Sequence, residues 1–98
     1  MLDKVKQMME LKKQADQLKK ELEAIRVDIN EVRGIKLVVN GAQIIQSIEI
    51  DEALLAPGNK NRIQMDLLRS FNSAIKKSQQ QAANKMKSMP GFNFPGMS

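Results

Sequence analysis

Ile35-Lys36-Leu37-Val38-Val39-Asn40-Gly41-Ala42-Gln43-Ile44-Ile45-Gln46-Ser47-Ile48-Glu49-Ile50 decides the fold of this chain. Ile35 to Val39 is a run rich in β-branched residues, which pack well on a pleated surface. Asn40-Gly41 between two apolar segments is a strong hairpin signal, because both residues tolerate positive φ in a type I′ turn. Ala42 to Ile50 reads as the return strand, with Ile44, Ile48 and Ile50 on one face and Ile45 and Ser47 opposite. Upstream, Ile25, Val27 and Ile29 alternate with Arg26, Asp28 and Asn30 until Arg33-Gly34 breaks the pattern, which gives a third strand. The centre of the chain is therefore a three-stranded antiparallel meander.

Residues 2–26 precede it without Gly or Pro and are rich in Leu, Lys, Gln, Glu and Met, so they predict one long helix. Met8, Leu11, Ala15, Leu18, Leu22 and Ile25 recur at alternating spacings of three and four and form an apolar seam. Lys6, Lys13 and Lys20 repeat every seven residues, as do Lys12, Lys19 and Arg26, so each set makes a stripe along the rod. Downstream, Asp51 is placed to cap a turn through Leu55, and Asn61 with Gln64 resembles a capping box. A second helix is expected from Arg62 to Lys87, packing through Ile63, Leu67, Phe71, Ala74, Ile75, Ser78 and Ala82. Arg62, Arg69 and Lys76 repeat every seven residues on another side, with Lys77 adjacent. The order is α-β-β-β-α, an α+β fold with a single domain over residues 1–87. Residues 88–98, with two Pro-Gly pairs, predict a flexible non-helical tail.

Charge is unevenly placed. The chain of 98 residues carries a net +5, but residues 27–58 hold two bases and five acids, and no acid follows Asp66. A basic balance confined to the two ends suits a polyanionic partner held by the flanking helices. Binding a line of phosphates releases counterions and needs no base-specific geometry, which is what lysines supply as point charges. The competing interpretation is a protein–protein adaptor, in which the apolar seam zips to a partner helix and the bases solubilise.

Other classes fall away on residue types. The chain has no Cys, His, Tyr or Trp, so thiol and imidazole chemistry is excluded and no enzyme, cofactor or metal is expected. Glu49, Asp51 and Glu52 cluster, but Asp51 is a cap and no second group assists. No run approaches the roughly 20 apolar residues of a membrane span. The first residues are charged and periodic, unlike a signal peptide, so a cytoplasmic protein with no membrane or small-molecule partner is expected.

Val39-Asn40-Gly41, Ile48-Glu49-Ile50-Asp51 with Leu54-Leu55, Ser70-Phe71-Asn72-Ser73-Ala74, Met86, and Phe92 to Met97 stand in this order. Together they resemble the YbaB/EbfC family of bacterial nucleoid-associated proteins over nearly the whole chain. The resemblance implies a homodimer whose sheets join centrally and whose helices project like tweezers. It also implies duplex DNA binding with relaxed sequence preference, a nucleoid location, effects on nucleoid organisation and gene expression, and no catalysis. The family usually has a glycine-rich loop between the first two strands, where Asn30 to Gly34 here is short. The expected DNA contacts are Lys6, Lys12, Lys13, Lys19, Lys20, Arg26, Arg62, Arg69, Lys76 and Lys77. The expected dimer and core residues are Leu11, Leu18, Leu22, Ile35, Leu37, Val39, Ile44, Ile48, Ile50 and Phe71.

Overall fold

A computed structural model describes residues 2–89, so the expected tail falls outside the described residues from Pro90 onward. Helix α1 spans Leu2–Ala24, about 35 Å at 1.5 Å per residue, and contains no buried residue. Three antiparallel strands follow, β1 Arg26–Val32, β2 Ile35–Asn40 and β3 Ile45–Ile50, in the sheet order β1-β2-β3. One 3-10 turn at Glu52–Leu55 leads to α2, Lys60–Ser88. This is the α+β order expected.

Several local expectations are corrected. The first helix ends two residues early, so Arg26 opens β1 and does not extend the Lys12–Lys19 stripe. The alternating Ile25, Val27 and Ile29 win over helix propensity there, because Val27 pairs with Val39 and Ile29 with Leu37 beneath α2. The Asn40-Gly41 turn is not type I′. Its left-handed residue is Gln43 (φ 65°), and Asn40 N–H donates to Ile44 O across a longer loop. The buried Asn40 side chain holds that loop: its Oδ1 accepts from Ala42 N at 2.9 Å and Ile44 N at 3.0 Å. The second helix starts at Lys60 after Asn59, whose side chain donates to Leu54 O and makes no cap bond, so no Asn61–Gln64 box forms. Asp51 does cap, its Oδ1 accepting from Ala53 N. Ser88, expected in the tail, is the last residue of α2.

Register slips by one residue between Val38 and Val39, so Val39 pairs with Ile45 while Leu37 pairs with Ile48 and Ile35 with Ile50. The slip puts Ile45 on the inner face with Ile48 and Ile50, and leaves Ile44 51% exposed. Ile29, Ile35, Leu37, Val39 and Ala74 form the core, with Leu67 and Phe71 packed beside it. The helix meets the sheet along Ser70, Ala74 and Ser78, a line of small residues four apart. That lets the axis sit close, but it rolls α2 so that Leu68 and Ile75 stay exposed rather than packing inward. Packing of α2 falls on β1 and β2, and the inner face of β3 is left open at Ile48.

Candidate nucleic-acid interface

The bases sit where three local devices put them. The loop after β2 fixes where α1 leaves the body: Gly41 N–H donates to Leu22 O at 2.8 Å. A Cβ on Gly41 would lie 2.8 Å from that same oxygen, so glycine is required for close approach and not for its φ. Ser78 ties the loop to α2, donating to Asn40 O at 2.7 Å and accepting from Gln43 N at 3.1 Å. Glu21 on α1 lies 4.0 Å from Lys85 on α2. The rest of α1 stands clear of the body.

Lys6, Lys12, Lys13, Lys19 and Lys20 are all exposed on this rod. Among the described residues none of the five has a carboxylate within 4.0 Å, and the same holds for Arg69 and Lys76 on α2. Lys6, Lys13 and Lys20 are about 10.5 Å apart along the axis, in line on one side. The other three expected bases are paired. Arg26 lies 3.2 Å from Asp28, Arg62 lies 3.7 Å from Asp66, and Lys77 lies 3.9 Å from Glu31. The structure thus gathers two sets of unpaired bases, one per helix, and separates Arg26 from both.

Residues that periodicity did not single out stand beside the α2 bases. A depression of about 410 Å³ between β1 and α2 is lined by Glu31, Asn72, Ser73, Lys76, Lys77 and Gln80. Ser73 Oγ–H donates to Glu31 Oε2 at 3.4 Å, so one carboxylate engages both Ser73 and Lys77. Glu31 lies 42 residues from Ser73 in sequence, and only the β1–α2 packing brings it here. The outer sheet face is charge-balanced: Arg26 pairs with Asp28, and Lys36 stands opposite Glu49. Among the described residues no group of three acidic side chains is placed to hold a metal ion, and no helix is long and apolar enough to cross a membrane.

Of the expected dimer and core residues, Ile35, Leu37 and Val39 are core and Phe71 flanks it. Leu18, Leu22 and Ile50 are half-buried, while Leu11, Ile44 and Ile48 are exposed in the single chain.

Comparison with known proteins gives one consistent answer. The model of the YbaB/EbfC DNA-binding family matches residues 1–92. A nucleoid-associated protein of Syntrophobacter fumaroxidans is 33% identical over 64 residues, covering 64% of this chain and 58% of its own. Nucleoid-associated proteins of Mycoplasmopsis pulmonis (34% identity, 66% of this chain and 65% of that protein) and Clostridium kluyveri (36%, 64% and 56%) are similar. The matched stretch spans less than two thirds of each relative's length.

Proposed function

Because the chain belongs to the YbaB/EbfC DNA-binding family, we propose that it binds duplex DNA through phosphate contacts, as a homodimer with relaxed sequence preference. One observation carries this reading: five lysines stand exposed and unpaired on a helix that buries none of its residues. A lysine without a carboxylate partner gives up nothing on meeting a phosphate, and the release of condensed counterions drives the association. Lys6, Lys12, Lys13, Lys19 and Lys20 form the first contact set. Arg69 and Lys76 lead a second, which Arg62 and Lys77 join by exchanging Asp66 and Glu31 for phosphate. Arg26 contributes least, because it is held on the sheet by Asp28.

Dimerisation fits the open inner face of β3. Ile48, Leu68 and Ile75 expose 45, 63 and 42% of their surface, and β3 is an edge strand with an unpaired backbone rim. A second copy joined along β3 would cover both and carry a second pair of helices, which matches nucleoid location and a role in DNA organisation and gene expression. The curated relatives, named as nucleoid-associated proteins, support the same location.

The test is fluorescence anisotropy on two unrelated duplexes across a salt series. Similar affinities are expected, with a log–log slope of about −5 if about six phosphates are neutralised. Replacing Lys12, Lys13, Lys19 and Lys20 together by Gln should weaken binding to both duplexes while circular dichroism stays unchanged. Unaltered affinity would remove α1 from the interface. Absence of binding at low salt would leave the bases as a solvated face and favour the adaptor reading, in which the exposed α1 seam meets a partner helix.

A further inference from the structure

We propose that the segment after α2, residues 90–98, docks back on the apolar seam of α1 in the same chain, placing Phe92 and Phe94 against Met8 and Leu11. The seam is covered in its second half and bare in its first. Leu18 and Leu22 are half-buried, and so are Ala82, Lys85 and Met86 on the last turns of α2. With Glu21 4.0 Å from Lys85, these turns are the cover. Cover ends where α2 ends. Met8 and Leu11, the next apolar seam positions beyond Ala15, are 69 and 64% exposed.

The two helices run past one another in opposite directions. Ser78 binds the loop that touches Leu22, and α2 continues from there toward Lys85 while α1 continues toward its own start. A long axis of 67 Å exceeds the roughly 43 Å of α2, which fits an α1 that projects beyond Ser88. The chain therefore leaves α2 beside the bare seam. Met89 is half-buried and extended (φ −82°, ψ 133°), and the proline after it prevents further helix. Nine residues reach about 30 Å, and Leu18 to Met8 is only about 15 Å along the helix.

Chemistry matches on both sides. Residues 90–98 hold no charged side chain and three large apolar ones, Phe92, Phe94 and Met97. One border of the seam is uncharged at Gln7 and Gln14, which with Glu10 and Leu11 line a shallow depression. A second α1 in the same place would bring together two stretches that each hold Lys4, Lys6, Lys12 and Lys13 against only Asp3 and Glu10, a like-charge juxtaposition that disfavours it.

The chain has no cysteine, so introduced pairs report contact cleanly. In the full-length protein, Gln7→Cys with Asn93→Cys keeps both rings and the seam intact. The control pair, Lys13→Cys with Asn93→Cys, places its α1 thiol on another side of the helix. Mild oxidation should close an intrachain disulfide at least tenfold faster in the first pair than in the control. Adding Leu11→Asp should bring the first pair down to the control rate, and its exposure keeps the fold safe. Equal rates in the two pairs, insensitivity to Leu11→Asp, or a product linked between chains on a denaturing gel each overturn the proposal. None of these outcomes bears on the phosphate contacts, which the lysine variants test separately.

Discussion

Gly41→Ala isolates what holds α1 to the body. The added methyl carbon would stand 2.8 Å from Leu22 O, 3.2 Å from Ile25 Cδ1 and 3.3 Å from Leu22 Cα. Two of those atoms are backbone, so relief requires the end of α1 to move, and that stretches the 2.8 Å bond from Gly41 N–H. Overpacking of this kind costs about 1–3 kcal/mol, and a weakened hydrogen bond adds about 1 kcal/mol. A loss of about 2–4 kcal/mol is expected, which for a domain of this size lowers Tm by roughly 10–30 °C. Gly58→Ala is the reference. Gly58 has φ +93° and nothing within 4 Å of an added Cβ, so only backbone strain of about 1–2 kcal/mol applies. Urea unfolding followed by circular dichroism at 222 nm, with equal m-values, gives both numbers. A Gly41→Ala cost no larger than that of Gly58→Ala would refute the close-approach account.

Ser78→Ala removes the buried donor to Asn40 O and leaves Gln43 N–H without its acceptor, so a loss of about 1–3 kcal/mol is expected in the same unfolding assay. A change below about 0.5 kcal/mol would mean water satisfies both groups. Glu31→Gln and Glu49→Gln change the net charge equally but at different places. The first frees Lys77 beside Ser73 and should tighten duplex binding by roughly two- to fivefold, equivalent to about 0.5–1 kcal/mol. The second, on the balanced outer sheet face, should change it less. Equal gains in anisotropy titrations would show that total charge alone governs affinity.

The helices and the meander were legible because each rests on a local pattern. Period-two alternation marked β1, and the absence of Gly and Pro marked α1. What periodicity missed depends on contacts far apart in sequence. Nothing in Asn40-Gly41 announces that Leu22 O will sit against the glycine, so the sequence alone points to the commonest use of that pair. Ile44 and Ile45 are adjacent isoleucines, and only a one-residue slip against Val39 decides which faces inward. The expected α2 face includes Ala74 and Ser78, which are buried, but it misses Ser70 and includes Ile75, which stays exposed, because a close helix–sheet approach selects small side chains. Among the bases, seven-residue spacing found the stripes but could not show that Glu31 would arrive beside Lys77. It also carried Arg26 onto a helix that had already ended.

Position also explains how an acidic middle and basic ends coexist without cancelling. Residues 27–58 carry net negative charge, yet α1 extends about 35 Å and is attached only near its last turns. At physiological ionic strength the Debye length is about 8 Å, so acids on the sheet are screened from Lys6 and Lys13 well before that distance. A phosphate approaching the free end of α1 meets lysines as though the body were neutral. Glu31 escapes this rule because it sits 3.9 Å from Lys77, inside the screening length and inside the α2 basic set. Net charge per chain is therefore a weaker guide to DNA affinity than which carboxylates lie within one Debye length of each base. On the proposed reading, the acids that temper binding are Glu10, Asp16 and Glu23, each within about one helical turn of a lysine on α1, and Glu31, brought to Lys77 by the β1–α2 packing, rather than the remaining acids of the sheet.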